Sequence, residues 1–337
     1  MSCISLPLGL LPTVNTTNHS LFFSIAAATP RTKPPNSSNN SSLHCTLHSH
    51  PRHYRLKPKA LPSEEQASTT TSTSNSNNSS EEEEYHIITA LNTNYNDIVI
   101  LDTSKSRMLL LDSTHNVHSI FNKGDGPKWT DSYWDDFASL PAIVPQGPIA
   151  ILGLGGGTCA HLMLDSWPSL QLEGWEIDRI LIDKSREYLG LSDLEKCTEA
   201  GGILSVHIGD ALSPAASVPG GFAGILVDLF SNGKVLPQLE EVTTWLELNS
   251  KLMPHGRIMV NCAGASSIPN DGEWIQNSTI QALCKAFPGN LSWKKLGTSD
   301  GENYLALTGP FPDTDMWSSV VPEKLSTSVK QWRPCKC

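Results

Sequence analysis

Acidic residues are absent from the first 63 positions, although the 337-residue chain contains 34 Asp and Glu and has a formal net charge of −10. The same stretch holds six Lys and Arg among many Ser, Thr, Asn and Pro. A long apolar segment near the start is also missing, because the run 21–28 is short and lies too far along the chain, which argues against a secretory signal. We predict a plastid transit peptide over residues 1–60, with mitochondrial import or an ordinary disordered tail as alternatives.

No later run approaches the roughly 18 to 20 apolar residues of a membrane span, so we expect no membrane partner. Residues 61–84 form an acidic linker with a Ser-Thr-Asn tract that cannot bury enough apolar surface to fold. The six positive charges of the leader and the six glutamates of the linker cancel, so the part from Tyr85 onward also carries −10. An acidic body argues against nucleic acid and is compatible with a cationic small-molecule substrate.

The eight cysteines include no Cys-x-x-Cys pair and no matching histidine spacing. We therefore expect no metal site and no disulfide framework. The terminal Cys335-Lys-Cys337 is compatible with redox activity, but we expect residues 311–337 to form a frayed tail.

Two regions of different periodicity follow the linker. Short strand-like segments between Tyr85 and Phe121, separated by polar turns, predict a small antiparallel sheet in a domain spanning 85–146. From 147 to 310, strands alternate with helices, which predicts a doubly wound, Rossmann-like α/β domain. Its elements include a strand expected at 222–229 and helices expected at 236–252 and 273–286. The segments 291–296 and 304–308 are expected to add an antiparallel hairpin at its edge.

The segment Ile149-Ala-Ile-Leu-Gly-Leu-Gly-Gly-Gly-Thr158 is the most informative stretch of this second region. It predicts a buried strand that turns into a helix, with glycines that let the backbone approach a ligand; these are Gly153, Gly155, Gly156 and Gly157. A turn that serves only packing is the alternative. Glu176 favours a nucleoside site, because it ends the next predicted strand 19 residues after Gly157, where its carboxylate can accept hydrogen bonds from both ribose hydroxyls.

The next two predicted strands also end in polar residues. Asp210 follows the third strand and can accept the adenine amino group, although it can instead cap a short turn. Asp228 and Ser231 follow the fourth strand, at the edge where a transferred group would lie. This is the natural place for a general base.

The order of these motifs resembles the spermidine synthase family of aminopropyltransferases, which is built on the class I methyltransferase fold. The upstream segments Tyr95-Asn-Asp-Ile98, Leu109-Leu-Leu-Asp112 and Tyr133-Trp-Asp135 occur in the matching order. The resemblance implies a site for S-adenosylmethionine or its decarboxylated form, with Glu176 on the ribose, Asp210 near the adenine and the glycine loop beneath the sulfonium chain. It also implies a polyamine substrate and a homodimer.

Three positions depart from the family pattern. Thr158, which we count among the candidate cofactor-binding residues, stands where the family has an aspartate that holds the amine of the aminopropyl chain. Ser231 stands where the family has a second acid. The family's Tyr-His-Glu is replaced by Tyr133-Trp134-Asp135. Three functions therefore remain open: methyl transfer, aminopropyl transfer that recruits Asp228, Asp135 or an unrecognised acid, and a non-catalytic plastid binding or assembly role.

Overall fold

The computed structural model describes residues 85–114, 116–124, 128–264, 277–298 and 301–337. The predicted transit peptide and linker lie outside these residues, so both stay predictions. Within the described part, no helix has the length and hydrophobicity needed to cross a membrane.

The first described region is a four-stranded antiparallel sheet in the order β1-β2-β3-β4, as predicted. Its strands are β1 (Tyr85–Asn92), β2 (Asp97–Thr103), β3 (Ser106–Leu110) and β4 (Ser119–Asn122). Alternating strand residues place Ile98, Ile100 and Leu109 against Leu181 and Leu189 of the larger domain. The small sheet is thereby packed against the helix that contains Leu181.

The rest of the described chain forms an α/β domain. Its strands are β5 (Ile149–Leu152), β6 (Gln171–Glu176), β7 (Ile203–Ile208), β8 (Phe222–Val227), β9 (Phe230–Ser231), β10 (Lys234–Val235), β11 (Leu252–Asn261), β12 (Leu291–Thr298), β13 (Gly301–Thr308) and β14 (Arg333–Pro334). Its helices are α1 (Tyr133–Phe137), α2 (Thr158–Ser166), α3 (Arg179–Tyr188), α4 (Leu191–Leu194), α5 (Val242–Ser250), α6 (Ser278–Ala286), α7 (Thr314–Val320) and α8 (Glu323–Val329).

The main sheet has the order β14-β12-β13-β11-β8-β5-β6-β7. The strands from β11 to β7 are parallel, and the predicted antiparallel hairpin β12–β13 extends the sheet beyond β11. Both faces are buried, since Ile149 and Ile151 pack in one core and Ala150 and Leu152 in the other. The predicted Rossmann-like fold is confirmed.

The strand order reverses between β5 and β8, which are adjacent in the sheet although two parallel strands separate them along the chain. In open α/β sheets, ligands bind in the crevice outside the carboxyl ends of the strands at such a switch point. The glycine loop after β5 and Asp228 after β8 therefore meet at one edge.

Two local predictions need correction. The predicted helix 236–252 is a 3-10 turn at Pro237–Glu240 followed by α5, and Leu252 already belongs to β11. The predicted strand 222–229 ends at Val227, because the chain turns into the β9–β10 hairpin. Of the predicted helix 273–286, residues 273–276 lie outside the described residues.

The expectation of a frayed carboxyl terminus is wrong. Residues after 311 form α7, α8 and β14, and the strand β14 pairs with β12. The apolar side chains Trp317, Leu325, Val329 and Trp332 are buried in the core that also contains Phe137. A disulfide joins Cys284 to Cys337, a pairing that the expectation of no disulfide framework did not anticipate. The pairing was missed because the two residues are 53 positions apart with no local pattern to pair them.

Candidate active site at the strand switch point

A cleft opens at the carboxyl ends of β5, β6, β7 and β8. Most of the residues predicted from the sequence line it together, namely Gly153, Gly155, Thr158, Glu176, Asp210, Asp228 and Ser231. Gly156 and Gly157 lie outside this lining.

The glycine loop has the predicted sharp turn. Gly153, Gly155 and Gly157 have positive φ angles of 89°, 55° and 87°. At Gly153 a Cβ atom would lie 2.2 Å from the backbone oxygen of Asp228, and at Gly156 it would lie 2.6 Å from Ser119. The glycines therefore let β5 approach β8 and β4 closely, so internal packing explains them in addition to any ligand.

The amides of this loop are already engaged. Gly155 donates to Glu176 at 3.0 Å, and Gly156 donates to the hydroxyl of Ser119 at 2.8 Å. The amide of Gly157 donates to the carbonyl of Leu154 at 3.0 Å. These amides are thus satisfied by protein atoms rather than turned toward the cleft.

The hydroxyl of Thr158 is hydrogen-bonded to the small sheet and is not a free polar group of the cleft. Its hydroxyl accepts the amide of Ile120 at 2.7 Å and donates to the carbonyl of the same residue at 3.0 Å. The side chain is buried. Its hydroxyl therefore joins α2 to β4. This contact does not support the predicted role of Thr158 in cofactor binding.

Glu176 lies at the end of β6 with both carboxylate oxygens in use. Oε2 accepts the amide of Gly155, and Oε1 accepts the amides of Ile177 and Asp178 at 2.9 and 3.1 Å. A carboxylate has about four acceptor positions, so Oε2 keeps room for one ligand hydroxyl. Burial raises the pKa of Glu176, and these amides oppose that rise.

Asp210 caps a short turn, which is one of the two roles that the sequence left open for it. Its Oδ1 accepts the amide of Leu212 at 2.9 Å, which caps the turn after β7. The residue is also exposed on the cleft.

Asp228 has the most distinctive surroundings of the predicted residues. Its Oδ2 accepts the hydroxyl of Tyr133 at 2.9 Å, and its Oδ1 accepts the side-chain amide of Asn261 at 2.9 Å. Burial raises the pKa of Asp228 to about 6, although both hydrogen bonds favour the charged form. A half-buried carboxylate whose pKa is about 6 is suited to accept a proton.

Ser231 and Asp135 do not join Asp228 in this network. Ser231 is exposed in the β9–β10 hairpin, and its hydroxyl accepts the side-chain amide of Asn232 at 3.3 Å. Asp135 accepts the amides of Thr130 and Asp131, both at 2.9 Å, so it fixes the turn before α1. Asp135 is therefore a structural residue, and the recruitment of Asp135 is not supported.

Sequence reasoning missed a second polar pair in the cleft, Asp112 and His118, between β3 and β4. His118 Nε2 lies 3.4 Å from Asp112 Oδ2, and the amide of Leu111 donates to His118 Nδ1 at 3.3 Å. Asp112 belongs to a segment that resembles the family, but nothing in that segment indicated its partner. Burial lowers the pKa of His118, and the charge of Asp112 opposes this.

The cleft is acidic. Among the described residues that line it there are four carboxylates, Asp112, Glu176, Asp210 and Asp228, and neither a lysine nor an arginine. Such a lining favours cationic ligands.

Comparisons with known proteins agree with this architecture. No family model matches the chain. A probable polyamine aminopropyl transferase from Bifidobacterium longum is 23% identical over 197 residues, which cover 58% of this chain and 41% of the relative. The human eEF1A lysine and N-terminal methyltransferase is 27% identical over 135 residues, covering 36% of this chain and 18% of the relative. The chain therefore spans less than half of the length of either relative.

Solved structures show the same fold. A probable spermidine synthase from Corynebacterium glutamicum superposes with a TM-score of 0.55 at 17% identity, covering 71% of this chain and 87% of that one. A spermidine synthase in complex with the transition-state analogue AdoDATO gives 0.50 at 14% identity, covering 71% and 77%. The resemblance found in the sequence is thus confirmed: the chain is similar to the spermidine synthases and has their class I methyltransferase-like fold.

Proposed function

We propose that the protein transfers an aminopropyl group from decarboxylated S-adenosylmethionine to an amine acceptor. The observation that carries this proposal is Asp228, a half-buried carboxylate at the switch point that Tyr133 and Asn261 hold in place. The sequence similarity to a probable polyamine aminopropyl transferase supports the reaction class.

In this proposal the adenosyl part of the donor binds along the ends of β5, β6 and β7. The free position on Glu176 Oε2 accepts a ribose hydroxyl, and Asp210 accepts the adenine amino group. The donor's sulfonium then faces the ends of β5 and β8.

The choice of the decarboxylated donor follows from charge. S-adenosylmethionine carries a carboxylate, which needs a cation or free amides, whereas the amides of Gly155, Gly156 and Gly157 are engaged. The described cleft lining has four carboxylates and neither lysine nor arginine. A donor with a sulfonium, an ammonium and no carboxylate suits this lining better.

The reaction is a nucleophilic substitution at the propyl carbon that is bonded to sulfur. The acceptor nitrogen forms a bond to this carbon, the carbon–sulfur bond breaks, and its electron pair stays on sulfur, which leaves as neutral methylthioadenosine. The nitrogen must lose a proton, and Asp228 accepts it. Tyr133 and Asn261 keep the Asp228 carboxylate oriented toward the acceptor.

The test is a set of calorimetric titrations of the full chain with decarboxylated S-adenosylmethionine, S-adenosylmethionine and methylthioadenosine. We expect the decarboxylated donor to bind at least tenfold more tightly than S-adenosylmethionine. Incubation with this donor and a diamine should release methylthioadenosine, detected by mass spectrometry.

Asp228→Asn is the variant that tests the general base. It should bind methylthioadenosine as the wild type does while turnover falls about 10²- to 10⁴-fold. Formation of S-adenosylhomocysteine from S-adenosylmethionine would replace the proposal with methyl transfer. Failure of all three ligands to bind would leave only the non-catalytic role.

A further inference from the structure

Three cysteine sulfurs meet at the carboxyl end of the chain. Cys284 lies on α6, and Cys335 and Cys337 follow β14, with the three sulfur atoms within 4.8 Å of one another. Cys284 and Cys337 form the disulfide, while the Sγ atom of Cys335 lies 3.8 Å from that of Cys284. Cys284 and Cys335 are buried and Cys337 is exposed.

A thiol in contact with a disulfide can exchange with it. Loss of the proton from Cys335 gives a thiolate that attacks Cys284 Sγ, forming a Cys284–Cys335 bond and breaking the Cys284–Cys337 bond. The electron pair of the broken bond leaves on Cys337, which takes up a proton, so the step needs no external oxidant or reductant. Burial raises the pKa of Cys335 to about 11, so this exchange should accelerate as the pH rises.

Exchange changes what the exposed end of the chain can react with. In the observed pairing, Cys337 is part of the disulfide and Cys335 is a buried thiol. After exchange, the exposed Cys337 is the thiol and the disulfide is internal to the buried pair. The accessible thiol is then open to an external disulfide or electrophile.

The segment that the disulfide holds also supports the cleft. Ser328 of α8 donates to Asp136 Oδ1 at 2.7 Å, and the buried ammonium of Lys294 lies 2.7 Å from the same oxygen. Asp136 is on α1, the short helix that carries Tyr133, whose hydroxyl contacts Asp228. The end of the chain is therefore connected to the cleft through α1.

We propose that Cys284, Cys335 and Cys337 form a thiol–disulfide exchange site, and that its state controls how firmly the carboxyl-terminal segment supports α1. External thiols open the site by reducing the disulfide, which releases the end of the chain from α6. Any consequence for catalysis through Tyr133 and Asp228 rests on the proposed function, whereas the exchange and the loosening of α1 do not.

The first test maps disulfides and thiols in the native full chain. The protein is held at pH 7 and at pH 9, alkylated with iodoacetamide, quenched in acid and digested for mass spectrometry. We expect a Cys284–Cys335 peptide with alkylated Cys337 to appear beside the Cys284–Cys337 peptide, and to form at least tenfold faster at pH 9. A single Cys284–Cys337 pairing at both pH values would overturn the exchange.

The second test measures amide hydrogen exchange of α8 and α1 with and without dithiothreitol. We expect reduction to accelerate exchange in both helices about tenfold, with α5 unchanged as the internal reference. Cys284→Ser should reproduce the reduced protein without dithiothreitol, and Cys335→Ser should keep the oxidised behaviour. Equal exchange in the oxidised and reduced proteins would refute the support of α1.

Neither readout requires transferase activity. If the pairings interconvert and the helices respond while no methylthioadenosine is released, the exchange site stands and the proposed function fails. If methylthioadenosine is released but the pairing stays single, the reverse holds.

Discussion

Replacement of Asp228 by asparagine should change the pH dependence of stability in a direction that the structure fixes. Burial raises the pKa of Asp228 from its ordinary 3.8 to about 6 in the folded protein. The folded state therefore binds the proton more tightly than the unfolded state, and folding stability falls as the pH rises through this window. A shift of about two pH units corresponds to about 3 kcal/mol in the free energy of unfolding.

Only part of this free energy is lost within the pH range in which unfolding is convenient to measure. With pKa values of about 6 folded and 3.8 unfolded, linkage gives a loss of about 1 kcal/mol in the free energy of unfolding between pH 5 and pH 8. Asparagine does not titrate, so Asp228→Asn should gain about 1 kcal/mol relative to the wild type over the same range. The new side-chain amide faces the amide donor of Asn261. Because the hydrogen bond between them is lost, the free energy of unfolding falls by about 1 to 3 kcal/mol at every pH. The test is consequently how the difference in the free energy of unfolding between Asp228→Asn and the wild type changes with pH, and not its value at one pH.

Urea unfolding followed by tryptophan fluorescence at pH 5, 6, 7 and 8 measures this slope. Asp183→Asn, at an exposed carboxylate on α3, controls for the loss of one negative charge. A stability difference between Asp228→Asn and the wild type that stays constant from pH 5 to pH 8 would show that Asp228 does not change its protonation state in this range. Its assignment as a base near neutral pH would then be lost.

Three further changes test other parts of the structure. Glu176→Gln should weaken methylthioadenosine binding by about 1 to 3 kcal/mol in calorimetry, because the ribose loses a charged acceptor, and an unchanged affinity would refute the assignment. Lys294→Met should lower the free energy of unfolding by about 3 to 5 kcal/mol because it leaves Asp136 buried and unpaired, and adding Asp136→Asn should recover most of that loss in urea titrations. Thr158→Val should lower the free energy of unfolding by about 1 to 3 kcal/mol while leaving donor affinity unchanged, whereas a selective loss of donor affinity would make Thr158 a ligand contact.

The sequence was sufficient for features that depend on neighbouring residues. Alternating and continuous apolar runs predict the two sheets, and a strand that ends in glycines predicts the turn at Gly153. Glu176 and Asp228 could be located because each directly follows or ends a buried parallel strand. Parallel strands bring their carboxyl ends to one edge, so their relative position needed no knowledge of contacts.

Features that depend on a distant partner could not be predicted. The hydroxyl of Thr158 is hydrogen-bonded to the backbone of Ile120, which lies 38 positions earlier. The residue type at position 158 therefore does not predict whether the hydroxyl contacts a ligand or the protein. The same holds for Cys284 and Cys337, and for the pair of Lys294 with Asp136, 158 positions apart. In each case the partner is determined by how the helices and strands pack against one another, and not by the spacing of the two residues along the sequence.

Thr158 and Ser231 are uncharged, but the cleft that they line still carries negative charge. Asp112 lies under the β9–β10 hairpin that carries Ser231, since a Cβ atom at Gly233 would be 3.6 Å from Asp112 Oδ2. His118 with Nδ1 accepting an amide carries its proton on Nε2, so the pair keeps the negative charge of Asp112 as long as the imidazole is neutral. Negative charge beside the hairpin thus comes from the β3–β4 segment instead of from position 231. An uncharged side chain at position 231 is therefore compatible with a cationic acceptor, and the proposed transfer to an amine does not depend on Ser231.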